Sequence, residues 1–362
     1  MTSFSFRNNI LDLIRLIAAL QVVVVHSNNH LKLNIDESFM SLLERFPGVP
    51  IFFVVSGFLI SASYERSNSL FQYYQNRVLR IFPGLWFCFV ISLVTILIFS
   101  SVEFELIASL KWGVAQLTMA QFYNPDFLRT YGVGVVNGSL WTIPVELQFY
   151  IILPVIYWFF RFSSKSLYFA GSLIVFLLFI ALSLVFFEFK ANNETLLVKL
   201  VGVTVFPYLY MFLVGVFLQR RINVIEKYLY GKFYFWLALY LISSYLLGLF
   251  NFTVQGNYLN PISAILLSLL TISAAYSFPK SYSTLLKGND ISYGVYIYHM
   301  LVINIFVEQN LSGSLIYLAI TLACTIALAS FSWLMIEKKA LSFKHYSLRK
   351  TIDTSHTKLE SS

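Results

Sequence analysis

Ile10-Leu11-Asp12-Leu13-Ile14-Arg15-Leu16-Ile17-Ala18-Ala19-Leu20-Gln21-Val22-Val23-Val24-Val25-His26, continuing as Ser27-Asn28-Asn29-His30, is the stretch whose reading decides the fold. As a helix rising about 1.5 Å per residue, an apolar run of this length matches the hydrocarbon thickness of a bilayer. At about 100° per residue, Asp12, Arg15, His26 and His30 fall within an arc of roughly 60°, and Gln21 points to the opposite side. The polar groups therefore form a stripe that faces protein or water. Arg15 and His26 are eclipsed down the helix and separated by roughly 16 Å of depth, one near a membrane edge and one well inside. Ionisable residues inside a bilayer cost about 2.5 to 3.5 kcal/mol each on insertion scales, so their presence points to function. A histidine titrating near neutrality is the usual general base. The plainer reading has Arg15 snorkelling beside Asp12 while the histidines bond only to neighbouring helices.

Outward from this stretch, 58% of the 362 residues are hydrophobic, 12% are charged, and the mean hydropathy is +0.73. These values exclude an ordinary soluble domain and predict an all-α, polytopic membrane protein. Ten helices are expected at roughly 11 to 30, 48 to 63, 82 to 100, 143 to 160, 167 to 187, 200 to 218, 233 to 250, 261 to 278, 291 to 307 and 313 to 335. Residues 1 to 340 would form one membrane domain and 341 to 362 a polar cytoplasmic tail. The net charge of +8 does not indicate nucleic acid, because the basic residues are spread over short loops. Eighteen of the 25 lysines and arginines lie on the segments that share the side of the N-terminus, six on the opposite segments, and Arg15 inside the first helix. The positive-inside rule then puts both termini in the cytoplasm. Asp12 and Arg15 interrupt the first apolar run and no small-residue cleavage site follows, which argues against a secretory signal. Cys88 and Cys324 both lie in apolar segments and read as buried free thiols.

Ser56 and Gly57, inside Ile51 to Ile60, read as helix-packing residues, since a catalytic serine needs an adjacent base and a strained turn. Arg77 and Arg80 share a helix face before Pro83. They either anchor the loop or grip phosphate of a donor arriving from the cytosol. The fourth helix starts at Gly138-Ser139-Leu140-Trp141-Thr142-Ile143-Pro144, with Ser139 or Thr142 as cap. Glu146 then lies one turn below the outer surface, at a depth comparable to His26, and is costly there unless it is paired or wet. The ninth helix carries Asp290, Tyr293, Tyr296, Tyr298 and His299, the last read as a histidine satisfied by a neighbouring helix. Glu337 is expected to form a salt bridge to a basic loop. No metal site or nucleotide-binding loop is evident.

These segments resemble the acyltransferase family 3 of integral-membrane acyltransferases. The Arg15 to His26 spacing is similar to that family's arginine and histidine motif in its first helix. Phe52 to Phe58 resembles its Ser-Gly-Phe motif, and Arg77-Val78-Leu79-Arg80-Ile81-Phe82-Pro83 its Arg-x-x-Arg-Ile-x-Pro. Ser139-Leu140-Trp141 through Glu146 to Tyr150, Ile291-Ser292-Tyr293 through His299, and Glu337 at the end follow in order. Pro144 departs from the apolar stretch usual before the glutamate, and no extracytoplasmic hydrolase-like domain of the kind appended in some members is expected.

The resemblance implies an O-acyltransferase that moves an acyl group, acetyl above all, from acyl-CoA to a hydroxyl of an envelope polysaccharide such as O-antigen or exopolysaccharide, or to its lipid-linked precursor. It would act in the inner membrane, among lipid. Combined with the residues, His26 is the candidate general base, or the site of a covalent acyl group, with Glu146 orienting it or assisting proton transfer. Arg15 would stabilise the donor, and Arg77 and Arg80 would hold the phosphates of acetyl-CoA. A transporter or flippase for a lipid-linked sugar would use the same intramembrane residue types, although no inverted repeat supports it. A structural subunit of an envelope complex would leave the polar stripe without a purpose.

Overall fold

The apolar runs fold as helices, and among the described residues no strand occurs. The computed structural model describes residues 9–160, 165–278, 282, 286 and 288–343. Arg7, Arg161, Lys280, Lys287 and the expected tail from residue 344 on, which carry part of the sidedness argument, lie outside the described residues. The helices are α1 (Leu11–Leu31), α2 (Glu37–Glu44), α3 (Gly48–Glu65), α4 (Leu70–Phe99), α5 (Leu106–Leu117), α6 (Thr142–Phe160), α7 (Lys165–Asn192), α8 (Leu196–Val201), α9 (Leu209–Arg220), α10 (Ile222–Val224), α11 (Phe233–Leu249), α12 (Pro261–Ser277), α13 (Ser292–Glu308) and α14 (Leu315–Ser332).

Six helical stretches among the described residues are long and apolar enough to cross a membrane, or seven if Ile222–Leu229 and Phe233–Leu249, bent by 83°, form one span. The expected ten are not reached on this measure, because α9, α12 and α13 are too short. The helix expected at 200 to 218 is split by the turn at Gly202 and by Pro207, which cannot continue a helix's hydrogen bonds. Gln148 occupies the break, accepting from Val205 N at 3.0 Å and donating to Val203 O at 3.2 Å. The expected loop after α4 contains α5, whose 12 residues are too few to span and whose Trp112 is buried.

Small residues set the closest helix crossing. A Cβ at Gly57 would sit 2.1 Å from Phe212 O, and one at Gly215 would sit 2.2 Å from Val54 O, so α3 and α9 touch backbone to backbone. This agrees with the packing role read for Gly57. Gln21, opposite the polar stripe of α1, accepts from Gly48 N at 2.9 Å and so satisfies an orphan donor at the start of α3. Leu97 and Ile98 of α4, Ile174 and Val185 of α7, and Leu315 and Ile316 of α14 stand exposed, an apolar belt suited to lipid. Cys88 is buried as expected, but Cys324 is exposed on α14, and both are free thiols.

α1 and α13 position the site. Arg15 near the start of α1 meets Asp290, just before α13, and His26 near the other end meets His299. The two helices therefore run parallel, side by side, with their polar stripes facing each other.

Candidate active site

Asp290 collects two arginines. Its Oδ2 accepts from Arg15 Nη1 and from Arg80 Nη2, and its Oδ1 accepts from Ser292 N at 3.2 Å and Ser292 Oγ at 2.5 Å. Arg80 Nη1 also lies 3.5 Å from Glu337 Oε2, whose partner oxygen accepts from Ser332 Oγ at 2.9 Å. The rings of Trp333 and Tyr293 flank Arg80 at 5.3 and 5.9 Å. Two guanidinium groups thus face two carboxylates in a largely buried place, where each charge depends on the others. The salt bridge expected of Glu337 forms with Arg80 of α4 rather than with a loop.

Arg77 and Arg80 lie three residues apart on α4 but have different partners. Arg77 Nη2 donates to Ser63 Oγ at 3.0 Å, and its guanidinium lies 5.8 Å from the Tyr150 ring centre. Among the described residues no carboxylate pairs with Arg77, and its Nε has no hydrogen-bond partner.

The two histidines fix each other's protons. His299 is fully buried, and its Nδ1 lies 2.7 Å from Tyr296 O. A carbonyl oxygen only accepts, so Nδ1 of His299 carries the hydrogen and, in the neutral ring, Nε2 keeps a lone pair. His26 Nδ1 lies 2.9 Å from that Nε2. With both rings neutral, His26 Nδ1 must donate, which leaves the Nε2 of His26 as a bare basic nitrogen. His30 stands edge-on to His26 with ring centres 6.0 Å apart.

Glu146 is held elsewhere. Its Oε1 accepts from Ser56 Oγ at 2.8 Å and from Tyr150 OH at 2.6 Å. Among the described residues no hydrogen bond joins it to His26, whose Nδ1 is paired with His299. Glu146, Arg15, Ser56 and Tyr296 do line one cavity of about 30 Å³, room for at least one water. Tyr296 links the two parts, because its ring borders this cavity and its carbonyl holds His299. The structure therefore joins Arg15 and Arg80 through Asp290 and Glu337 through Arg80, places Glu146 and Arg15 on one small cavity, and sets His26 on His299. Asp290, Ser56 and His299 were not read as site residues from the sequence. The available signal was an ionisable residue, His299, inside an apolar run, as in α1.

A family model described as an acyltransferase domain, that of acyltransferase family 3, matches residues 8–337. The chain belongs to this family. Nodulation protein 10 of Rhizobium leguminosarum bv. viciae is 31% identical, with 94% of this chain and 95% of that protein covered. An O-acetyl transferase of Shigella phage Sf6 is 28% identical, covering 93% of this chain and 97% of its own length. The O-acetyltransferase OatA of Staphylococcus aureus is 26% identical, over 43% of this chain and 26% of its own. No solved structure matches. The protein is an O-acetyltransferase, an enzyme that works with an acyl donor.

Proposed function

We propose that this acyltransferase moves an acetyl group from cytoplasmic acetyl-CoA to a hydroxyl of a cell-envelope polysaccharide or its lipid-linked precursor. It would sit in the inner membrane with ten crossing segments, residues 1 to 340 forming the catalytic domain and 341 to 362 a cytoplasmic tail. The parallel run of α1 and α13 supports this topology, since it requires an even number of crossings between their starts.

The observation that carries the reading is the ordered pair His26 and His299, which presents one bare imidazole nitrogen inside a membrane protein of an O-acetyltransferase family. His26 Nε2 takes the proton of the acceptor hydroxyl as its oxygen attacks the thioester carbonyl. A C–O bond forms, the C–S bond breaks, and the proton leaves with the thiolate as free CoA. His299 is a positioning residue that keeps the proton of His26 on Nδ1. Arg15 stabilises the negative charge that develops on the donor carbonyl oxygen, and Glu146, held by Ser56 and Tyr150 beside the same cavity, assists proton transfer. Arg77 and Arg80 hold the donor phosphates, Arg77 foremost because no carboxylate neutralises it.

Glycans from cells with and without the protein should differ by an acetyl mass at one hydroxyl, read by mass spectrometry. Identical glycans, with the protein inserted and acetyl-CoA present, would reject the reading. Arg77→Lys keeps the charge and loses the planar fork, each charge-assisted hydrogen bond contributing roughly 1.5 to 3 kcal/mol. The expected result is normal insertion with an apparent KM for acetyl-CoA raised about tenfold or more in vesicles whose cytoplasmic face is accessible. An unchanged KM would return Arg77 to a loop anchor.

A further inference from the structure

A second cavity, of about 200 Å³, lies beside α5 and the start of α6, and its lining shares no residue with the smaller cavity or the histidine pair. Trp112 and Trp141 supply aromatic walls, with Tyr123 beside them, and Gln116, Gln121 and Asn137 supply amides. No lysine, arginine, aspartate, glutamate or histidine is among the described residues that line it. The Oε1 of Gln121, a residue 3% exposed, has no hydrogen-bond partner among the described residues. An orphan buried acceptor of this kind calls for a hydroxyl or amide donor from outside the chain.

The cavity is coupled to the histidine pair through α13. Asn137 Nδ2 donates to Ile297 O at 2.7 Å, two residues before His299. Tyr296 OH donates to Ser139 O at 2.9 Å and accepts from Thr142 Oγ1 at 3.0 Å. The same short segment, 137 to 142, therefore borders the large cavity and braces the turn of α13 that orients His299. Trp141 lines the large cavity, and Thr142 lines the small one with Glu146 and Arg15.

We propose that the larger cavity is the acceptor subsite and takes one uncharged pyranose ring, a reading that rests on the protein being a glycan O-acetyltransferase. Indole faces cover the apolar C–H face of a sugar, and amides pair with its hydroxyls. The lack of any charged lining group disfavours uronic or sialic acid rings, whose carboxylate would be buried without a partner. The space, about 200 Å³, is ample for a single pyranose ring.

Gly138 offers a clean plug. It lines this cavity, and a Cβ built on it meets nothing within 4 Å, so a side chain enters open space without moving backbone. In membrane vesicles, Gly138→Trp is expected to lower acetyl transfer to the native glycan at least about tenfold, while binding of acetyl-CoA alone to the purified full chain stays as in wild type. As a second measurement, methyl hexopyranosides should compete with the glycan in the wild type, and the matching methyl hexuronides should not. Full transfer by Gly138→Trp, loss of acetyl-CoA binding together with transfer, or equal competition by the uronides would each overturn the subsite. If the wild type itself binds acetyl-CoA and acetylates no glycan, the broader reading fails instead.

Discussion

Replacing His26 with alanine is expected to abolish glycan acetylation while leaving the protein inserted and at normal abundance. Removal of a general base costs on the order of 10² to 10⁴ in rate, and alanine in place of histidine makes α1 more apolar, so insertion is not impaired. The geometry makes a sharper statement at the neighbouring ring. His299 Nε2 accepts from His26 Nδ1 only because its own Nδ1 is committed to Tyr296 O. His299→Ala should therefore lower the rate by a similar order, since His26 is then free to take the other tautomer, in which Nε2 holds the hydrogen and cannot act as base. His299→Gln offers an amide oxygen to the same Nδ1–H and should recover a substantial part of the loss, with the KM for acetyl-CoA unchanged in both variants. Initial rates with saturating acetyl-CoA in vesicles decide it. Near-normal acetylation by a correctly inserted His26→Ala protein sinks the assignment, and equal losses in His299→Ala and His299→Gln remove the tautomer argument.

The polar stripe of α1 was legible because helical periodicity is a local property. Arg15 and His26 share a face wherever the helix goes, and the structure uses both. Their partners were not legible in the same way. Asp290 meets Arg15 across 275 residues and His299 meets His26 across 273, and nothing local to either stripe names the other. Depth does not say which way a side chain turns: Glu146 and His26 both lie in the outer half of their helices, while Ser56 and Tyr150 bond one oxygen of Glu146, which lines the same cavity as Arg15. The helix at 200 to 218 was read through Gly202 and Pro207 because its hydropathy is continuous, although proline is a recognisable breaker. α5 escaped because a 12-residue helix with one buried face carries too weak a signal for a membrane span. Gly57 was read correctly, since close helix approach is what a small residue inside an apolar run provides.

Asp290 is where the largest loss of stability is expected. It is the shared acceptor of Arg15 and Arg80, with side-chain exposures of 13, 16 and 14%. Asp290→Asn removes the negative charge and leaves two guanidinium groups facing one another, with Glu337 beside Arg80 and the more exposed Asp12 near Arg15 as the remaining carboxylates. Breaking a buried ion pair from one side costs about 3 to 5 kcal/mol, because the remaining charge has neither water nor partner. The same substitution at Asp126, which bonds Arg129 at 2.7 Å with exposures of 93 and 64%, should cost at most about 1 kcal/mol, since water replaces the lost partner there. Unfolding in SDS, followed by tryptophan fluorescence, measures both. A second substitution tests the cause. Arg15 forms no ion pair besides Asp290 among the described residues, so Asp290→Asn with Arg15→Met removes the cation that the first substitution leaves without its partner and keeps the Arg80 and Glu337 pair. The double variant should be more stable than Asp290→Asn alone, by a coupling of roughly 0.5 to 3 kcal/mol. It should still be inactive, because Arg15 faces the same cavity as Glu146. Stability of Asp290→Asn equal to wild type would show that the arginines reach other partners or water, and the charge balance that holds α1, α4 and α13 together would have to be drawn differently.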